Sequence, residues 1–170
     1  MSQFIGEKFG KWEGEARPLF LAPMSGVTDL PFRLLAKECG ADITITEFTN
    51  STALSRAATA SWRKMESHET EVPFIPQIFG GDANDMVTAA KMLAPNSDVI
   101  DLNFGCPAPK VTKICAGAAL MGEPDNLVSM VSDIVDSVDV PVTAKMRLGT
   151  GSSNHNAVEI CQRLEKVGAE

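Results

Sequence analysis

The sequence lacks any long apolar run. No stretch approaches the roughly eighteen consecutive apolar residues of a membrane-spanning helix, and residues 1–18 mix charges and glycines where a signal peptide has an apolar segment. From these absences we expect a cytoplasmic protein with no membrane partner. The chain also lacks linkers, low-complexity tracts and sequence repeats, so we expect one domain or part of one.

Paired cysteines are missing as well. The four cysteines are scattered along the chain without any C-x-x-C pair, which argues against a zinc site and against a disulfide scaffold. We therefore expect free thiols and no bound metal. Cys39 and Cys161 fall on predicted helices, where a lone cysteine usually serves as a small core side chain.

Basic charge is not in excess. The net charge is -7 at pH 7, whereas a domain that binds nucleic acid normally carries a basic patch or stripe. The composition therefore does not favour RNA binding by the whole domain, although one local basic face would suffice. The candidates for such a face, which can equally be solvated surface, form two groups: Arg56, Arg63 and Lys64, and Lys110 and Lys113.

What the chain does contain is enough apolar sequence for a core, since 44% of its residues are hydrophobic. Five short apolar runs alternate with segments that carry helix signals. The runs are continuous more than alternating, which is typical of parallel strands covered on both faces. They span residues 19–24, 43–48, 74–79, 99–104 and 142–146.

Helix signals fill the intervals between these runs. Asp29 and Pro31 begin a helix that Gly40 ends, and Asp82 and Pro95 bound another. Strand and helix thus alternate about every thirty residues, the spacing of βα units. Further helices are predicted over residues 52–65, 124–138 and 154–167.

Five βα units in 170 residues extrapolate to about eight in about 250, the size of a TIM barrel. We therefore predict an α/β fold, the first five units of a TIM (β/α)8 barrel, with the remainder beyond Glu170. Residues 1–170 alone would have open strand edges, so we expect them to associate or aggregate. The alternative is a complete doubly wound sheet, whose first loop usually binds phosphate; the loop APMSGVTDLP lacks a compact phosphate nest.

Polar residues stand at the C-terminal ends of the predicted strands, where the active sites of such barrels lie. Lys145 and Arg147 share one side of the last strand because side chains alternate with period two, and they indicate an anionic or electron-rich ligand. Salt bridges with Glu47 or Asp101 are the alternative. Gln77 lies in an apolar strand, so its amide needs a partner, either a heterocycle or the backbone.

Cys106 lies in a Gly-Cys-Pro turn after the fourth predicted strand. Gly105 permits an unusual backbone path and Pro107 restricts the chain, so we expect the thiol to be held in the site rather than packed in the core. A cysteine thiol is mostly protonated at neutral pH and can act as an acid. Cys106 is therefore a candidate proton donor.

Four segments together resemble the tRNA-dihydrouridine synthases: LFLAPMSGVTDLPFRLLAKECGAD, PQIFGGD, DLNFGCPAPKVTKICAGAALM and VTAKMRLG. The resemblance runs from about Leu19 to Glu170. It implies a TIM barrel that holds FMN, which NADPH or NADH reduces, followed by a small helical domain that helps to bind tRNA. The rest of the barrel and the helical domain would lie beyond this chain. So would the family's strand-six histidine, which neither His68 nor His155 matches.

The resemblance also implies which residues hold the flavin. Ala22, Pro23 and Met24 would border it, and Gln77 would hydrogen-bond its isoalloxazine edge. Lys145 would lie near its N1/O2 region, where a cation stabilises the reduced form.

On the substrate side, Asn103 and Arg147 would contact the uracil edge. Cys106 would protonate C5 of a flipped-out uridine while the flavin delivers hydride to C6, and Cys115 would be structural. The chain is thus predicted to be the N-terminal part of an enzyme that reduces uridine to dihydrouridine in tRNA. The alternatives are a flavin barrel of the dihydroorotate dehydrogenase type, acting on free pyrimidines, and a non-catalytic fragment.

Overall fold

The computed structural model describes residues 18–151 and 153–170. The charged N-terminal segment, residues 1–17, and Ser152 lie outside the described residues. Within the described part, the strands are β1 (Phe20–Leu21), β2 (Ile43–Thr44), β3 (Thr49–Asn50), β4 (Gln77–Phe79), β5 (Ile100–Phe104) and β6 (Val142–Met146). The α-helices are α1 (Leu30–Glu38), α2 (Ser51–Ser55), α3 (Thr59–Trp62), α4 (Ala83–Leu93), α5 (Pro109–Thr112), α6 (Pro124–Val135) and α7 (Ala157–Lys166), and 3₁₀ turns cover Arg63–Met65, Ala94–Asn96 and Gly117–Gly122.

Every pair of neighbouring strands is parallel, and the strands follow one another in chain order. β1 pairs with β2, and the sheet β3-β4-β5-β6 continues the series. A parallel bridge between Ile45 and Ile75 connects the two sheets. A doubly wound sheet needs a reversal of strand order, and the described strands show none. The structure therefore agrees with the barrel prediction and excludes the doubly wound alternative.

The four-stranded sheet has one apolar face and one polar face. Ile78, Leu102 and Val142 belong to the apolar face, which packs into the main core against α4 and α6. The predicted burial on both faces is confirmed for β5, which is buried along its whole length, although its side chains alternate between apolar and polar; β6 is only partly buried. The other face is polar because neighbouring strands place partners for hydrogen bonds in register on it: Gln77, Asp101, Asn103, Thr143 and Lys145.

Side-chain caps begin the two helices for which the sequence predicted a capping residue. Asp29 accepts a hydrogen bond from Phe32 N at 3.1 Å, and Asp82 accepts one from Asp85 N at 2.9 Å. Both carboxylates satisfy N–H groups that the first helical turn leaves unpaired. Gly40 follows α1 with a φ of +99°, in agreement with its predicted place at the helix end.

The prediction of one continuous helix over residues 52–65 is wrong, because this segment forms two short helices and a 3₁₀ turn. Asn50 caps α2 by accepting from Ala53 N at 3.0 Å, and α2 ends after a single turn. Ala57 then adopts a φ of +55°, which an α-helix cannot contain. The chain restarts as α3 and the following 3₁₀ turn, so the helix-forming composition of this segment is overridden by a bend.

The four cysteines have free thiols, as predicted. The burial of Cys39 and Cys161, however, differs from expectation. Cys39 and Cys161 are exposed rather than in the core. Cys39 caps the end of α1, and Cys161 lies on α7 next to Ile160, which is the residue that faces the core. Separately, no helix in the described part of the chain combines the length and the apolarity that crossing a membrane requires.

A buried ion pair joins α1 to the chain that leads into β4. Arg33 Nε lies 2.7 Å from Glu71 Oε1, and both side chains are 1% exposed. The guanidinium also donates to Thr28 O at 3.0 Å and to Glu66 O at 2.8 Å, and Thr44 Oγ1 on β2 donates to Glu71 at 3.1 Å. The pair therefore ties the first two βα units to the third.

We expect Arg33→Met to lower the free energy of unfolding by about 3 to 5 kcal/mol, because it leaves the Glu71 carboxylate buried without a counter-charge. Denaturant unfolding of the full-length protein measures the change. Adding Glu71→Gln should recover part of the loss. The matched control is Arg163→Met, which breaks an exposed pair with Asp125 and should have a far smaller effect; equal losses for both arginines would contradict the prediction.

Candidate active site

The polar face of the sheet brings three predicted site residues together: Gln77 begins β4, and Asn103 and Lys145 lie near the C-terminal ends of β5 and β6. Asn103 Nδ2 donates to Gln77 Oε1 at 3.0 Å, and Asn103 lies opposite Lys145 in the strand register. Gln77 is 0% exposed and Asn103 is 6% exposed, whereas Lys145 is exposed. The partners of the Gln77 side chain are therefore other side chains, not the backbone.

Asp101 supplies the second partner of Gln77. Its Oδ2 accepts from Gln77 Nε2 at 2.5 Å, and its Oδ1 accepts from Thr143 Oγ1 at 2.6 Å. Burial raises the pKa of the Asp101 carboxyl, and the hydrogen bonds from Thr143 and Gln77 and the positive charge of Lys145 act in the opposite direction.

The sequence analysis missed the role of Asp101 and Thr143 in this network. It considered Asp101 only as a salt-bridge partner of Lys145 or Arg147, and within residues 18–151 and 153–170 neither cation forms an ion pair within 4.0 Å. The available signal was a carboxylate in the middle of the apolar run VIDLNF. A buried carboxylate requires partners, but the sequence did not show which residues they are.

Cys106 is fixed by both of its backbone polar groups. Its N–H donates to Asn103 Oδ1 at 3.0 Å, and its carbonyl oxygen accepts from Ala118 N at 2.9 Å. Gly117 has a φ of +59°, and a Cβ there would lie 2.7 Å from the Cys106 oxygen, so only glycine allows this close approach. The Cys106 thiol is half-buried and makes no hydrogen bond within the described residues.

Ala22, Pro23 and Met24 lie on the loop that follows β1. Met24 N donates to Thr28 Oγ1 at 3.0 Å, and Met24 O accepts from Thr28 N at 3.0 Å. Ala22 and Met24 are exposed and Pro23 is half-buried. The loop is thus held in one shape and presents an apolar surface. Arg147 lies just beyond the end of β6 and is exposed.

A cleft of about 300 Å³ opens beside the ends of β3 and β4. Lys64 and Lys110 line it together with Phe48 and Phe79, whose rings meet edge to face with centroids 5.3 Å apart. Lys64 Nζ lies 3.2 Å from Glu47 Oε1. The cleft therefore contains one lysine from each of the two basic groups noted in the sequence.

The hydrogen-bonding groups that remain unused on the polar face are mainly donors, although the Gln77 side chain is fully buried. Asn103 Oδ1 already accepts from both Gly105 N and Cys106 N, while the NH2 groups of Gln77 and Asn103 each keep a second N–H. Lys145, which forms no ion pair with the residues that the structure describes, adds a cation. This donor set suits a ligand edge that is rich in acceptors, such as the carbonyl-bearing edge of a flavin. Within the part of the chain that the structure describes, no cluster of three or more His, Cys, Asp or Glu side chains is arranged to hold a metal.

Comparison with known proteins assigns the chain to a family. The model of the family described as dihydrouridine synthase (Dus) matches residues 20–170. The chain belongs to this family. The resemblance drawn from the sequence motifs is thus confirmed, and with it the α/β fold of a partial TIM barrel.

Individual relatives agree with the family match. The chain is 42% identical over 151 residues to a probable tRNA-dihydrouridine synthase of Rhizobium leguminosarum, a match that covers 88% of this chain and 47% of the relative. It is 41% identical to tRNA-dihydrouridine synthase B of Proteus vulgaris, over 89% of this chain and 47% of the relative. For the Escherichia coli K12 enzyme of that name the identity is 38%, over 89% and 48%. The chain spans about half the length of these curated relatives.

The raised pKa of Asp101 predicts how stability changes with pH. As the pH rises above the ordinary aspartate pKa of 3.8, Asp101 loses its proton in the unfolded chain but keeps it in the folded protein. The free energy of unfolding of the wild type therefore decreases until the pH passes the raised pKa of the folded state. Asp101→Asn has no such titration. The unfolding free energy of the wild type minus that of Asp101→Asn should therefore fall as pH rises, by at most about 1.4 kcal/mol per pH unit. Denaturation of both proteins between about pH 3 and pH 7 tests this, and a difference that is flat or increases contradicts it.

Proposed function

We propose that this chain forms the N-terminal part of the catalytic barrel of a tRNA-dihydrouridine synthase, which reduces uridine to 5,6-dihydrouridine in tRNA with FMN and NADPH or NADH. The observation that carries the proposal is Cys106, whose backbone is held on both sides while its thiol stays available beside the polar face. Membership of the family supports it, as do the names of the relatives. The C-terminal part of the barrel and a helical tRNA-binding domain would follow this chain, and the protein would act in the cytoplasm.

FMN would lie against the loop of Ala22, Pro23 and Met24, with Gln77 donating to its edge. Lys145 would supply a positive charge to the electron-rich part of the ring. When bound and reduced, FMN supplies hydride to C6 of uracil.

Cys106 would complete the reaction as the general acid. Its S–H bond breaks as the proton moves to C5, so that one hydride and one proton add across the C5=C6 double bond, and solvent then reprotonates the thiolate. Asn103 and Arg147 would hold the uracil edge. The remaining N–H of Asn103 can donate to a uracil carbonyl oxygen, which suits this role.

The lysine-containing cleft would hold RNA next to the target uridine. Extruding the target base from its stack costs a few kcal/mol, and this cost is smallest in an RNA loop that is already unpaired. Phosphates would meet Lys64 and Lys110, and the rings of Phe48 and Phe79 offer a surface for bases. Family membership favours RNA over free pyrimidines as the substrate, and comparing turnover of tRNA with turnover of free dihydropyrimidines tests this directly.

Cys106→Ala in the full-length enzyme should lower the rate of dihydrouridine formation at least about a hundredfold, the usual effect of losing a general acid. FMN binding should remain nearly intact. Stopped-flow measurement of flavin re-oxidation by tRNA gives the rate. Cys115→Ala, which removes an exposed thiol from the same region, is the control. An unchanged rate in Cys106→Ala would remove this residue from the mechanism.

Lys145→Ala should weaken FMN binding or abolish it, because it removes the cation in register with Asn103 on the polar face. Arg147→Ala should keep FMN and slow tRNA turnover. Flavin content per protein after purification distinguishes the two variants. Full occupancy and normal flavin reduction in Lys145→Ala would show that this lysine does not serve the flavin.

Replacing both cleft lysines should reduce the salt dependence of tRNA binding. Each phosphate contact to single-stranded RNA contributes about 0.7 to the slope of log K against log salt concentration, so Lys64→Ala with Lys110→Ala should lower the slope by about 1.4. Lys91→Ala removes an exposed lysine of α4, outside this cleft, and serves as the control. Equal slopes for the wild type and the double variant would exclude the cleft as an RNA site.

A further inference from the structure

A chain of side-chain hydrogen bonds connects Asp101 to the backbone of Cys106. Asp101 accepts from the Gln77 amide, and Gln77 Oε1 accepts from Asn103 Nδ2 at 3.0 Å. Asn103 Oδ1 then accepts from Cys106 N at 3.0 Å and from Gly105 N at 3.2 Å. The chain thus runs from β5 to β4 and back to the turn that follows β5.

The two ends of this chain determine the orientation of both amides. Backbone N–H groups only donate, so Asn103 must turn its oxygen towards Gly105 and Cys106 and its NH2 group towards Gln77. Gln77 must then turn its oxygen towards Asn103 and its NH2 group towards position 101. The arrangement is complete only if position 101 offers an acceptor, and Asp101 provides one.

Thr143 allows Asp101 to remain an acceptor in both protonation states. The Thr143 hydroxyl, 2.6 Å from Oδ1, can donate to a carboxylate or accept from a protonated carboxyl. Burial raises the pKa of Asp101, so the protonated carboxyl is relevant as well as the carboxylate. A proton on Oδ1 would face Thr143 and would leave Oδ2 free to accept from Gln77.

We propose that Asp101 is a positioning residue for Cys106. By fixing the amides of Gln77 and Asn103, it holds the Gly-Cys-Pro turn in the geometry that presents the thiol. If the amides reversed, the Asn103 NH2 group would face two N–H donors and the turn would be released. The catalytic consequence rests on the proposed function, but the fixed orientation does not.

The test measures the turn directly in the full-length protein, without tRNA or reductant. Backbone hydrogen exchange of residues 103–108 and the alkylation rate of Cys106 by iodoacetamide are both followed by mass spectrometry of the peptides. Asp101→Ala removes the acceptor, so both rates should increase about threefold or more, the effect of losing one hydrogen bond. Asp101→Asn keeps an oxygen for Gln77 and should restore the wild-type rates.

Thr143→Val is the matched control. It removes the hydrogen bond to Oδ1 and leaves the connection from Gln77 to Cys106 intact, so both rates should stay within about twofold of the wild type even where stability decreases. If Asp101→Ala leaves both rates unchanged, or if Thr143→Val increases them equally, Asp101 serves stability alone and the proposal is overturned. Should Asp101→Ala fail to fold, Gln77→Met breaks the same chain and makes the same comparison.

Catalysis provides a separate readout. In a tRNA reduction assay, Asp101→Ala should lower kcat and leave KM for tRNA close to the wild-type value, because the proton donor is displaced while the RNA contacts remain. A protein that shows the predicted exchange and alkylation rates but makes no dihydrouridine would contradict the proposed function and not the positioning role.

Discussion

The buried ion pair of Arg33 and Glu71 links parts of the chain that local structure leaves unconnected. Removing two charges from water costs several kcal/mol for each ion, and the cost is offset only when the geometry satisfies their hydrogen bonds. Here Arg33 contacts two backbone carbonyls besides Glu71, and Thr44 contacts Glu71 as well. The helix after β1, the strand β2 and the approach to β4 are therefore fixed to one another. The same pair anchors the end of the loop after β1, because Arg33 donates to Thr28 O.

The polar face exists because the parallel register provides its partners. Gln77, Asp101 and Thr143 lie in one row across three strands, so each buried polar group finds a neighbour at hydrogen-bond distance. Burying any of these groups alone would cost about 1 to 3 kcal/mol. The described residues contain two exceptions, Ser51 Oγ and Asn156 Oδ1, which are buried without a partner. Because its buried polar groups satisfy one another, the polar face does not require a ligand for its stability.

The sequence predicted those features that depend on neighbours in the chain. The N-caps Asp29 and Asp82 were recognised because a cap and its helix are adjacent. The ends of β4, β5 and β6 were located because apolar runs are local, whereas the runs over residues 19–24 and 43–48 extend past the ends of β1 and β2. The helix over residues 52–65 was wrong because α2 ends in a left-handed reversal at Ala57, closed by the bonds from Ala57 N to Leu54 O and from Ala58 N to Ala53 O, and no glycine marks it. The hydrogen bonds of Asp101 depend on the register of three strands, which no local pattern encodes.

Backbone contacts explain the residues of the motif N-x-G-C-P, which spans positions 103–107. The oxygen of Asn103 is fully used by Gly105 and Cys106, and the carbonyl of Cys106 is used by the segment that Gly117 begins. The Asn103 oxygen and Gly117 thus build the turn, and this part of their role follows from backbone geometry. The thiol of Cys106 is different, because it makes no hydrogen bond in the described part of the chain. The general acid proposed for this site needs such a thiol, because an S–H group already engaged with a protein acceptor would first have to break that hydrogen bond.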